Sequence, residues 1–211
     1  MKLTKYGHAC VVLEEQGKKL IIDPGEFTPE FGDVSDVAAV VVTHVHGDHF
    51  SPAHLQMIVA ANPEVKVFTT AEAAETLSDA HAQVVKAGGE QVTGPFTVRF
   101  FGELHALIHS IAPQNQNTGV LVNNRFYYPG DSFTLPNTKI DMLAVPANAP
   151  WAKVGESIDF IKTVAPAQFF RTHDGLLNDA GLMIVDAWFN KTSEAFGPAY
   201  HALNPGDSLE F

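Results

Sequence analysis

The chain has 211 residues, 45% hydrophobic and 18% charged, with a formal charge of −11 from 13 basic and 24 acidic side chains. That length and apolar content fit a globular protein with its own core, and no Pro-, Gly- or Ser-rich stretch divides it, so a single domain over 1–211 is expected. The acidity speaks against a nucleic-acid binder and against docking on anionic membranes, since both need a basic face.

In chain order, apolar runs at 9–13 and 19–22 flank the polar Glu14-Glu15-Gln16-Gly17 and predict a hairpin. The second run stops at Asp23-Pro24-Gly25, a strong breaker. Residues 37–42 (VAAVVV) read as a strand buried on both faces. Ser51-Pro52 sets an N-cap before a proline at the first helical position and predicts a helix to about residue 61. A strand at 65–69 and a helix at 71–80 follow. Residues 83–86, 96–101, 119–122 and 125–128 read as strands, the last two joined by a tight Asn123-Asn124 turn. After a strand at 142–145, Val154, Ile158 and Ile161 recur at helical spacing within 153–164. Residues 168–172 form a strand, 178–196 a helix and 208–211 a closing strand. The mixture predicts an α/β protein, a four-layer αββα sandwich of two mixed sheets with helices outside.

One cysteine, Cys10, leaves no intramolecular disulfide and no cysteine-rich zinc site, and its place in an apolar run makes it a buried small hydrophobe. No signal peptide is visible and no run approaches 18 apolar residues, so a cytoplasmic location away from the membrane is expected.

Ten histidines are unevenly placed. His44-Val45-His46-Gly47-Asp48-His49 packs four metal-ligand side chains into six residues directly after a strand. Neutral imidazole suits zinc, iron and manganese, and a carboxylate adds a hard oxygen. Gly47 lets the chain turn so that both flanks converge. Single ionisable residues end other strands: Asp23, His105 or His109, Asp131 within Tyr128-Pro129-Gly130-Asp131-Ser132, and His173 within Arg171-Thr172-His173-Asp174. Such residues often only cap turns, but their recurrence beside the His cluster points to a shared centre. His54, His81 and His201 read as surface or helix-face residues.

This set resembles the five motifs of the metallo-β-lactamase-fold hydrolases, in the family's order and over nearly the whole chain. Gly7-His8-Ala9, Leu20-Ile21-Ile22-Asp23-Pro24, Tyr128-Pro129-Gly130-Asp131-Ser132, Leu143-Ala144-Val145-Pro146 and Thr172-His173 are more narrowly similar to the ascorbate-6-phosphate lactonase-like branch. The resemblance implies a two-metal site. His44, His46 and the mid-chain His would hold one metal, Asp48, His49 and His173 the other, and Asp131 would bridge them. Asp23 would orient the His cluster from behind. The cofactor implied is two divalent metal ions, zinc first, with manganese or iron admitted by the oxygen ligands. The reaction implied is hydrolysis of an ester, lactone or phosphoester of a small-molecule substrate by a bridging hydroxide. Asp48 would orient the nucleophile, His8 would contact the substrate, and the general acid stays unassigned. For the mid-chain ligand His105 is expected over His109, because it lies nearer the end of the strand and fits the branch resemblance; His109 would be a neighbouring substrate or supporting residue. Arg171 is the one base beside the site suited to an anionic substrate. A homo-oligomer is left open. Two other functions share the fold: a metal-dependent oxidoreductase or dioxygenase, although flavodiiron relatives resemble H-x-E-x-D where this chain has His46, and a non-catalytic binding module, which the full ligand set disfavours.

Overall fold

Opposite charges carry the first hairpin further than its apolar residues do. β2 (Val11–Glu15) and β3 (Lys18–Ile22) pair antiparallel out to Glu14↔Lys19 and Glu15↔Lys18. Gln16 and Gly17, at φ 49° and 75°, close it as a two-residue turn of the type I′ kind. The computed structural model describes residues 1–29, 31–77 and 82–211. The end of the helix expected at 71–80, and His81, lie outside the described residues.

β2 and β3 belong to a seven-stranded sheet. Its other strands are β1 (Lys2–Lys5), β4 (Val37–Val42), β5 (Lys66–Thr69), β6 (Ala82–Val84) and β14 (Ser208–Glu210), in the order β14-β1-β2-β3-β4-β5-β6. A second seven-stranded sheet holds β7 (Glu90–Thr93), β8 (Phe96–Phe101), β9 (Gly119–Val122), β10 (Phe126–Tyr128), β11 (Met142–Pro146), β12 (Gln168–Thr172) and β13 (Ala199–His201), running β13-β12-β11-β10-β9-β8-β7. Each sheet joins three antiparallel pairings to three parallel ones, with β3 and β10 at the changeover. β1, β7 and β13 carry no sequence signal. β7 and β13 are short edge strands with polar residues, the usual protection of a sheet edge.

Among the described residues four helices cover the outer faces: α1 (Pro52–Ala61), α2 (Ala71–Leu77), α3 (Val154–Val164) and α4 (Asp179–Phe196). Ser51 caps α1 by accepting the His54 N–H, and Asn178 caps α4 by accepting that of Gly181. The Ser51 cap is where the sequence puts it, whereas Asn178, expected as the first helical residue, stands just outside α4 as its cap. One core cluster, with Leu13, Val41, Phe100, Val120 and Phe170, lies between the sheets. A second packs Val40, Val42 and Val67 under Leu55 and Ile58 of α1. A third packs Leu143, Val145 and Phe169 under Phe160, Ile161 and Phe189. The layering is therefore αββα, as expected. Among the described residues no helix is long and apolar enough to cross a membrane.

Parallel pairing aligns the strand ends that matter. Asp23 N–H bonds the Val41 carbonyl at 2.9 Å, and Pro146 lies in register with Thr172. The loops leaving β3, β4, β8, β10, β11 and β12 converge at the C-terminal ends of the central strands, where α/β sheets place their ligands.

Candidate metal centre

Two turns are forced together to build this centre. Gly25 follows Asp23-Pro24, and an added Cβ there would lie 1.9 Å from the Asp48 carbonyl oxygen. Only glycine lets the β3 turn pass so close under the His44–His49 loop. Asp23 sits at φ 51° and His173 at φ 59°, a left-handed conformation that ordinary residues avoid unless their surroundings hold them.

Asp23 is fully buried and works from behind the cluster. It accepts the Thr43 N–H and the Thr43 Oγ1–H, both at 2.7 Å, and faces His49 Nδ1 at 2.6 Å. Thr43 Oγ1, its proton given to Asp23, accepts from His44 Nδ1 at 3.0 Å. His105 Nδ1 donates to the Ala106 carbonyl at 2.5 Å and His173 Nδ1 to the Asn148 carbonyl at 2.6 Å. All four imidazoles thus give away the Nδ1 proton and turn Nε2 inward, the arrangement that prepares histidine for a cation. His46 is reversed. Asn115 donates its amide to Glu72 at 2.6 Å, so its Oδ1 takes the His46 Nε2–H at 3.1 Å and Nδ1 is left free.

The inward atoms form two groups, each with ligand atoms within 4.8 Å of one another: His44, His46, His105 and Asp131, and His8, Asp48, His49 and His173. Asp131 stands between them. Its oxygens lie 2.9 Å from His49 Nε2, 3.2 Å from His105 Nε2 and 3.1 Å from His173 Nε2. Asp48 lies 3.3 Å from His173 Nε2.

The structure brings together every residue the sequence singled out for the metals, and His105, not His109, lies in the first group. His105 is buried, whereas His109 is exposed on the following loop. His8 joins the second group in a different role. The Gly175 N–H donates to His8 Nδ1 at 2.9 Å, so the proton of a neutral ring is on Nε2, which donates to Asp48 at 3.2 Å. His54 is half-buried and contacts the Gly25 carbonyl at 3.2 Å, so it supports the turn instead of facing solvent. His201 is half-buried on β13, bonded to Gln168 at 2.8 Å. Cys10 is buried in the apolar cluster that holds Val12 and Val40 and belongs to neither group.

Arg171 departs from expectation. Its guanidinium is 2% exposed and engaged by Asp174 at 2.9 Å, Asp186 at 3.1 Å and Asn204 at 2.8 Å, because β12 carries it into the outer layer under α4. It is not available to a substrate. Trp151 was not foreseen: its indole N–H donates to Asp131 Oδ2 at 3.0 Å, and its ring lies edge-on to His105. Thr43, Asn115 and Asn117 were missed as well. Asn117 Oδ1 accepts the Asp131 N–H at 3.0 Å and fills the space that would hold a Cβ on Gly130. These residues act through the fold, and no local motif marks them.

Imidazoles and carboxylates shift one another across the centre. Burial disfavours the charged form of His49, but Asp131 and Asp23 hold its proton well above the usual imidazole range. Burial likewise opposes charge on His173, and Asp131 and Asp48 still raise it to about 9. Burial pushes Asp131 upward, yet His49, His105 and His173 bring it well below the carboxylate range. His44 and His46 go down, mainly by burial. His44 Nε2, His49 Nε2, His173 Nε2 and Asp131 Oδ1 are buried with no hydrogen-bond partner. Orphaned polar atoms cost about 1–3 kcal/mol each, so four of them gathered in the two groups around Asp131 fit a metal-binding centre. The donor set of imidazoles and carboxylates suits zinc, manganese or iron.

The chain matches the family model of the beta-lactamase superfamily domain over residues 2–173. Protein Rv0786c of Mycobacterium tuberculosis is 33% identical over 182 residues, covering 84% of this chain and 85% of its own. A UPF0173 metal-dependent hydrolase of Carboxydothermus hydrogenoformans is 25% identical over 99% of both chains. Igni18, a metallo hydrolase of the archaeon Ignicoccus hospitalis, shares the fold with a TM-score of 0.73 at 17% identity, over 100% of this chain and 98% of that one.

Proposed function

The chain belongs to the beta-lactamase superfamily, and from that membership we propose that it is a metal-dependent hydrolase acting on an ester, lactone or phosphoester of a small substrate at a two-metal site. The observation that carries the reading is the convergence of orphaned Nε2 atoms on Asp131. His44, His46, His105 and Asp131 would hold one cation, and Asp48, His49, His173 and Asp131 the other, zinc first and manganese or iron next. Bound there, two cations supply Lewis acidity and a water that ionises near neutral pH.

The chain's own groups do the rest. Asp48 is half-buried at the mouth, where its carboxylate can accept a proton from the attacking water and fix its direction. His8 holds Asp48 in place through its Nε2–H. Trp151 restrains Asp131 and, with Phe133 against it, walls one side from solvent. The unit is proposed to work as one domain spanning 1–211, in the cytoplasm.

The test is elemental analysis of protein purified without chelator, together with a hydrolysis screen. About two metals per chain and turnover of one of these substrate classes are expected. His105→Ala should lose metal and His109→Ala should keep it. A metal-free chain that stays empty after reconstitution would sink the reading.

A further inference from the structure

Among the histidines assigned to the metals, His46 is the one steered by a group that could face either way. The partners of His49, His105 and His173 are the Asp23 carboxylate and the Ala106 and Asn148 carbonyls, which can only accept. His44 faces Thr43 Oγ1, whose proton is already given to Asp23. His46 Nε2 instead faces the side chain of Asn115, an amide with an acceptor at one end and donors at the other. Turned over, that amide would donate to Nε2, and the imidazole proton would move to Nδ1, the atom left for a cation.

What fixes the amide lies on α2. Thr70 starts that helix by accepting the Ala73 N–H on its hydroxyl at 3.3 Å, which leaves Glu72 in the first turn. An acid there usually serves the dipole of its own helix. Glu72 reaches out of the helix to the residues that lead into β9. Its Oε1 accepts the Asn115 amide at 2.6 Å and its Oε2 the Gln116 backbone N–H at 2.7 Å, while its own N–H goes to the Gln116 side chain at 3.1 Å. Gln116 thus satisfies an N–H that the helix leaves unpaired. The same segment takes the His105 N–H on the Asn115 carbonyl at 2.9 Å and bridges Gln116 antiparallel to Leu104. Asn115 therefore holds two members of the first group, His46 and His105, and Glu72 holds Asn115.

A carboxylate has no proton to give, and a backbone N–H can only donate. With the Gln116 N–H on one oxygen, the other oxygen must meet the Asn115 amino group, so Asn115 Oδ1 turns to His46. We propose that Glu72 is a positioning residue for the metal centre: through Asn115 it keeps the His46 proton on Nε2 and holds Nδ1 open for the cation of the His44, His46, His105 and Asp131 group. This rests on the two-metal reading above and deepens it.

Glu72→Gln keeps the shape and leaves one acceptor oxygen instead of two. If that oxygen keeps the Gln116 N–H, the new amino group faces Asn115, the Asn115 amide turns over, and the His46 proton goes to Nδ1. If it keeps Asn115, donor meets donor at Gln116 and the segment loses its hold on α2. Adding Asn115→Asp repairs the first case. The new carboxylate accepts from the new amide on one oxygen and from His46 Nε2 on the other, so the proton returns to Nε2.

The experiment measures stepwise zinc affinities by competition with a chromophoric chelator. Beside it runs the long-range nitrogen–proton correlation spectrum of the imidazoles in metal-free protein at about pH 8, above the usual imidazole range. Losing a partner that orients a ligand costs about 10–100-fold in metal affinity. Glu72→Gln should weaken one zinc by about that factor, leave the other as it is and move the His46 proton from Nε2 to Nδ1. Glu72→Gln with Asn115→Asp should return the proton to Nε2 and recover most of the affinity. Glu75→Gln, at an exposed acid on the same helix, should change neither reading. A Glu72→Gln protein whose zinc affinities and His46 tautomer match the parent overturns the proposal and leaves the two-metal reading standing. So does a loss of affinity with the proton still on Nε2, or one that Asn115→Asp leaves unrepaired, since either makes Glu72 a structural tie only. A parent that binds no zinc overturns the two-metal reading, and the proposal with it.

Discussion

Replacing Asp174 with Asn tests whether one buried carboxylate holds together the loop that presents His173. Asp174 lies 2.5 Å from Lys5 Nζ and 2.9 Å from Arg171 Nε, and the three residues are 6%, 0% and 2% exposed. Burial pushes the Lys5 ammonium below its usual range, and Asp174 is the chief influence opposing that. The Asn side chain keeps the volume and removes the charge. Breaking a buried ion pair from one side costs about 3–5 kcal/mol, because the remaining charge has neither water nor partner. Arg171 keeps Asp186 at 3.1 Å, so the low end, about 3 kcal/mol, is expected. In a chain of this length each kcal/mol moves Tm by about 2–4 °C, so Asp174→Asn should melt about 6–12 °C lower. The assay is thermal unfolding of metal-free protein, followed by circular dichroism and calorimetry. Adding Lys5→Met removes the stranded ammonium and should recover at least half of the loss, a coupling between touching residues. A single variant within about 1 kcal/mol of the parent, or a double variant that falls further, refutes the account.

pH should act on the metal-free protein with a definite sign. His173 is raised to about 9, so its stabilisation is full below about 6.5 and is lost as pH rises through about 9; His49 shifts the same way. His8, His44 and His46 are depressed, chiefly by burial, and weaken the fold only below about pH 6.5. Metal-free Tm is therefore expected to fall from pH 6.5 to 9.5 while the metal-loaded Tm stays level, and a metal-free Tm that rises would contradict the assignment. Gly25→Ala drives a Cβ into the Asp48 backbone, so elemental analysis should show metal lost from the Asp48, His49 and His173 group; full occupancy would refute the close-approach argument. Cys10→Ala should keep both metals and cost about 1 kcal/mol, whereas a lost metal would make the thiol a ligand.

What the sequence could reveal depended on how far apart the cooperating residues lie. The His44–His49 cluster is local, and a strand followed by metal-ligand side chains needs no tertiary knowledge to be noticed. Asp23 and Asp131 became legible through their turns, since Pro-Gly beside Asp marks a strand end, and His173 through its place directly after the strand expected at 168–172. Trp151, Asn115 and Asn117 reach the centre only because separate loops meet there. Arg171 misled because a base next to a ligand looks available, yet Arg171 is held within β12 while His173 lies past the strand's end, where φ 59° redirects the chain, so the two meet different neighbours. β7 and β13 stayed silent because an edge strand is defended by polar residues, which erase the periodicity that reveals it.

The repeated sheet plan explains why two similar turns do different work. β3 and β10 hold the same position, each with an antiparallel neighbour on one side and a parallel one on the other. Each ends in a Pro-Gly turn with an Asp, but the order differs: Asp23 precedes Pro24-Gly25, whereas Asp131 follows Pro129-Gly130. Coming first, Asp23 remains at the strand end, its N–H still bonded to Val41, and serves as the anchor beneath Thr43 and His49. Coming after the turn, at Gly130 with φ 63°, Asp131 is carried beyond the sheet and into the gap between the two imidazole groups. The position of one carboxylate relative to a two-residue turn thus separates a residue that holds the histidines from one that faces what they hold.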